Sequence, residues 1–90
     1  MRGTSSIGRK KYEPISSAYR TALSRGLYRN IRDRNGKVIS EAYALHNPLE
    51  YFAELSAIYF VGGNYFPFDR AGLADYDRAG ELMVRTLWAD

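Results

Sequence analysis

The sequence predicts a mainly α fold of the α+β kind, with about four helices and one small β-hairpin. Three observations predict it. Apolar residues recur at helical spacing after Pro14, after Asn47-Pro48 and after Asp77. An Asn35-Gly36 pair separates two short runs of β-type residues. A hydrophobic content of 46 %, with 14 % aromatic residues, argues against disorder in a chain of 90 residues, though a core of that size is modest.

The elements follow in order. Residues 1–12 are rich in Ser, Gly, Lys and Arg and lack apolar periodicity, so a flexible basic lead-in is expected there, leaving residues 13–90 as the folded part. Pro14 suits the first turn of a helix, because the N–H it lacks has no partner at that position anyway. Ile15, Ala18, Tyr19, Ala22 and Leu23 then mark one face, and Gly26 stops the helix. A hairpin is expected over roughly 28–32 and 37–41, with Asn35 and Gly36 both at positive φ in a type I′ turn. Asn47 as cap, Pro48 at the first helical position and Glu50 three residues after the cap open the clearest helix, a capping-box pattern. Gly62-Gly63-Asn64 ends it. Tyr65-Phe66-Pro67-Phe68 is too aromatic to stand free in water and is expected to fold back on the core. Asp69 and Asp77 cap two further helices, the last reaching Trp88.

Composition excludes several function classes. With no cysteine there is no disulfide framework, thiolate metal site or cysteine nucleophile. Glu50 and Glu54 interrupt the longest apolar stretch, so no membrane span is expected, and the basic N-terminus lacks the apolar core of a secretory signal. Charge is uneven: residues 1–37 hold ten Lys/Arg against Glu13 and Asp33, whereas residues 38–90 hold three Arg against eight acids. A basic half hints at a polyanion, but these residues are spread along the chain, and a solvated face loosely paired with the acidic half accounts for them more simply.

The residues that carry chemistry lie in Tyr43-Ala44-Leu45-His46-Asn47-Pro48-Leu49-Glu50-Tyr51-Phe52-Ala53-Glu54. On local grounds Glu50 is a helix cap, Glu54 a solvated position one turn on, Tyr43 an ordinary aromatic after a hairpin, and His46 a residue outside the helix. The stretch resembles the lethal-factor-like zinc metallopeptidases. There a helix of pattern N-x-x-E-[YF]-F-A-E follows the HExxH helix, and a tyrosine stands seven residues before the first glutamate. The likeness extends over about residues 13–88, through the Pro14 helix, the Asn-Gly hairpin, the Tyr-Phe-Pro-Phe-Asp-Arg loop and the helix ending in Trp88.

The resemblance implies that residues 13–90 are a partial metallopeptidase-like domain, akin to the C-terminal subdomain of a zincin. It implies that Glu50 is the glutamate zinc ligand, that Tyr43 stabilises the oxyanion or protonates the leaving group, and that Glu54 orients a ligand histidine. A carboxylate in the first turn of a helix also sits in a field that keeps it ionised. Zinc is the cofactor of the complete family domain. This chain holds one histidine, so HExxH is absent from it, and zinc is not expected to bind to it alone. The resemblance therefore implies a truncated or split peptidase that is catalytically incomplete as given. Its partner would be the missing HExxH-bearing segment, or a second copy meeting it through exposed apolar surface. Two alternatives stay open: a free-standing interaction module derived from a peptidase, and a small basic nucleic-acid-binding protein that stacks bases on its tyrosines. The family is often secreted, and this sequence shows no export signal of its own.

Overall fold

The computed structural model describes residues 3–89, with side chains from residue 12 onward. Among the described residues there are four α-helices and a two-stranded antiparallel hairpin. Helix α1 spans Gly3–Ser24, strand β1 Arg29–Arg32 and strand β2 Val38–Glu41; a single 3-10 turn covers Tyr43–Leu45. Helix α2 spans Pro48–Phe60, α3 Arg70–Tyr76 and α4 Arg78–Ala89. The expected fold class is the one observed.

Helix α1 departs from expectation. It begins at Gly3 and runs through the stretch read as a lead-in, so Pro14 lies inside the helix and not in its first turn. Residues 1 and 2 fall outside the described residues. A proline inside a helix removes one i→i−4 bond and crowds the carbonyl four residues earlier. Tertiary contact supports the helix beyond that point, where Ile15, Ala18 and Ala22 bury one face. The residue after the helix is Arg25, and Gly26 then takes φ +70°, as the stop signal anticipates.

The hairpin pairs Arg29 with Glu41, Ile31 with Ile39 and Arg32 with Val38. Its loop is not the expected type I′ turn. Gly36 has φ +84°, but Asn35 is not among the residues at positive φ. The Asp33 side chain is the reason. Its Oδ1 accepts the N–H groups of Asn35 and Lys37, both at 2.9 Å, and its carbonyl accepts the Gly36 N–H. A side chain that bonds its own loop in this way supports a longer connection with a single glycine at positive φ.

Local cap chemistry places the remaining helices. Asn47 Oδ1 accepts the Glu50 N–H at 2.9 Å, with Pro48 at the first helical position. Asp69 Oδ1 accepts the Gly72 N–H at 2.8 Å, and Asp77 Oδ1 accepts the Gly80 N–H at 2.9 Å. Helix α2 buries Tyr51, Leu55 and Ile58 along one stripe, against α1 and α4. The 65–68 loop does fold back: Tyr65 and Pro67 are buried, and Phe66 packs its ring edge-to-face on Tyr76 at 4.7 Å.

At the centre stands Asp77, fully buried. Its Oδ2 accepts the hydroxyls of Tyr28 and Tyr51, each at 2.7 Å. One carboxylate thus joins the residue that leads into β1, the middle of the fold at α2 and the start of α4. Burial, followed by the nearby Asp77 charge, pushes both phenols well above the ordinary tyrosine range. At the far end of α4, Trp88 stacks on Phe52 at 5.8 Å and donates its Nε1–H to Ser56 Oγ at 2.9 Å.

Candidate functional site

The cap at Asn47 fixes which way every side chain of α2 points. With 3.6 residues per turn, successive residues turn by about 100°, and Glu50, Glu54, Ala57 and Val61 fall within roughly 60° of one another. Ala53 flanks this stripe. The buried residues Tyr51, Leu55 and Ile58 lie to one side of it. The stripe itself is left open: Glu50, Ala53 and Ala57 are exposed, and Val61 is 88 % exposed. Two carboxylates and two alanines on an uncovered helix face form a shallow, acidic track.

Among the described residues the Glu50 carboxylate has neither an ion pair nor a hydrogen bond; only its backbone N–H is engaged, by Asn47. The reciprocal half of a capping box is therefore not formed, and the carboxylate is exposed in the first turn of the helix. Glu54 is held. The Tyr65 hydroxyl donates to its Oε1 at 2.7 Å. Burial, with the Glu54 bond adding to it, raises the Tyr65 phenol far above its ordinary value, so this donor stays protonated.

Tyr43 opens the 3-10 turn and is 62 % exposed. Its ring meets the His46 ring edge-on at 4.6 Å. Tyr43 and Tyr65 line two adjoining hollows, one running on to His46 and Glu41, the other to Glu54 and Ala57. The fold thus brings Tyr43 and Glu54 to one hollow and sets Glu50 a turn before Glu54 on the same stripe. His46 lies outside α2, exposed, as its place before the cap implies.

Whether these groups could hold a metal is a matter of donors. Among the described residues, no three His, Cys, Asp or Glu side chains gather around a point that a metal ion could occupy. A catalytic zinc takes three protein ligands, and this chain offers one free carboxylate on the track. Among the described residues these donors do not add up to such a set.

Two participants escape sequence reasoning. Tyr65, which fixes Glu54, belongs to a loop whose aromatic content signals only that it folds inward; the isolated bridge between Asp33 and Tyr65 aims it. Asp77 is legible as a helix cap, but nothing in the pattern announces that it also gathers two tyrosine hydroxyls.

Comparison of the chain with protein-family models, with curated proteins and with solved structures gives no match in any of the three.

Proposed function

We propose that this chain is the carboxylate-ligand segment of a zinc metallopeptidase and that it works only when a helix bearing HExxH lies along the open stripe of α2. The observation that carries the reading is the free Glu50 carboxylate at the head of an uncovered stripe. Ala53 and Ala57 support it, because small residues let a second helix approach closely. The two carboxylates of the stripe suit a partner face that carries imidazoles. The spacing of Tyr43, Glu50 and Glu54 adds the likeness in sequence.

In this reading Glu50 supplies the third ligand, and Glu54, held by Tyr65, orients a histidine of the partner helix. Tyr43 offers a neutral hydroxyl to the side where negative charge develops on a substrate carbonyl. A bound zinc would supply a water acidic enough to act near neutral pH.

The test is to express the chain joined to whatever the reading frame encodes upstream of Met1, then to measure bound zinc and peptidase activity. An HExxH segment is expected there, with zinc bound at one per chain. Glu50→Ala should lower zinc affinity by about tenfold or more, and Asp75→Ala, which removes an exposed carboxylate from α3, should leave it close to normal. The chain alone should show no zinc-dependent rise in melting temperature. An upstream frame without HExxH, or zinc content indifferent to Glu50→Ala, would sink the reading.

A further inference from the structure

A groove of about 640 Å³ lies between the hairpin and the 65–68 loop and shares no lining residue with the α2 stripe. That volume is in the range of small-molecule sites, roughly 300–1,000 Å³. One wall is cationic, with Arg29, Arg32 and Arg34; the other is aromatic, with Phe66, Phe68 and Tyr76.

The three arginines are not equivalent. Arg29 is paired with Glu41 across the hairpin at 3.2 Å. Arg32 and Arg34 have no carboxylate partner among the described residues. Asp33 lies between them in sequence, but its Oδ1 is turned to the loop N–H groups of Asn35 and Lys37. Each of the two unpaired guanidinium groups is nonetheless held in place. Arg32 Nη1 donates to the Gly36 carbonyl and Arg34 Nε to the Gly63 carbonyl, both at 2.8 Å. Arg34 also lies over the Phe68 ring at 5.0 Å. A guanidinium carries five N–H donors, so each keeps a preset fork of unused donors at the groove.

The backbone of the groove is strained independently of its charge. Asn30 has φ 53° and Phe68 has φ 71°, one on each wall. Non-glycine residues seldom adopt such angles, and residues held there concentrate at ligand clamps. Cavity, unpaired forks and backbone strain coincide at this one place.

We propose that the groove binds a small ligand in which a phosphate or carboxylate is joined to an aromatic ring. The forks of Arg32 and Arg34 take the oxyanion, and the Phe66–Tyr76 wall takes the ring. The site is separate from the α2 stripe, so the proposal stands whether or not the chain belongs to a peptidase.

The test is a titration of the full chain, labelled with ¹⁵N, with phenyl phosphate. The amides of residues 29–36, Phe66 and Phe68 should shift together and saturate below about 10 mM, with inorganic phosphate about tenfold weaker. Arg32→Gln should weaken phenyl phosphate by about tenfold, whereas Arg20→Gln, which removes the same charge from α1, should not. Arg32→Lys should recover little, since lysine keeps the charge and loses the fork. Adenosine monophosphate and an N-acetylated peptide ending in phenylalanine identify the source; saturable binding of either at the same amides supports the site. No shift by about 10 mM, or equal losses in Arg32→Gln and Arg20→Gln, overturns the proposal. So does an oligonucleotide that binds where phenyl phosphate does not, because the groove would then be part of a longer track.

Discussion

One buried carboxylate ties three separate parts of this molecule together. Asp77 accepts three hydrogen bonds, from Tyr28, Tyr51 and the Gly80 N–H, and none of it reaches water. Asp77→Ala would leave two buried phenols without acceptors, at about 1–3 kcal/mol each, and would remove a cap worth about 1 kcal/mol. A loss of about 3 kcal/mol or more is expected in urea unfolding, a large share of the stability of a small domain. A loss below about 1 kcal/mol would mean that the phenols find water instead. In the sequence Asp77 is visible only as the polar residue before a helix. Its partners lie 49 and 26 residues away, and no local rule reaches that far. The same distance problem hides Tyr65 from Glu54, while Tyr43 and Glu50 can be singled out because their pattern is contained within one short segment.

Elements were legible where their ends are chemically marked. Asn47, Asp69 and Asp77 each bond the N–H three residues on, so the starts of α2, α3 and α4 follow from residues that are neighbours in sequence. The start of α1 is not legible, because Pro14 reads as a first-turn residue and nothing local reports that the helix continues on its other side. The hairpin is legible in the sequence but its turn type is not, since Asp33 outweighs the usual preference of Asn-Gly. The approach of α4 to α2 depends on one glycine. A Cβ on Gly80 would lie 2.5 Å from Asp77 Oδ2, from Leu55 Cδ2 and from the Tyr51 hydroxyl. Alanine is favoured over glycine within a helix by about 0.5–1 kcal/mol, but overpacking costs about 1–3 kcal/mol. Because all three neighbours are fixed, Gly80→Ala should be destabilising by about 1–2 kcal/mol in thermal or urea unfolding. A stabilised variant would show that the helices move apart freely.

At the scale of the whole molecule, three buried phenols set a limit on the alkaline side. Tyr28, Tyr51 and Tyr65 all have their ionisation pushed upward, by burial first and by a carboxylate partner second. In the unfolded chain they release protons near pH 10, and in the folded chain they keep them. Their contribution is therefore fully present below about pH 10 and is lost as pH rises beyond it, by up to about 1.4 kcal/mol per pH unit for each phenol. Unfolding free energy measured across that range should fall steeply. Tyr28→Phe should lower it at neutral pH and also flatten the fall; an unchanged slope would remove Tyr28 from the account. Fold class was legible because helical spacing and capping are properties of short segments, whereas the open stripe and the basic groove arise only when segments meet. Trp88 turns one of those meetings into a signal. It is the chain's sole tryptophan, clamped to Phe52 and Ser56 where α4 meets α2. Indole emission from this protein is accordingly a one-site optical gauge of the α2–α4 contact, and a change in its colour or intensity locates an event at that seam without any added label.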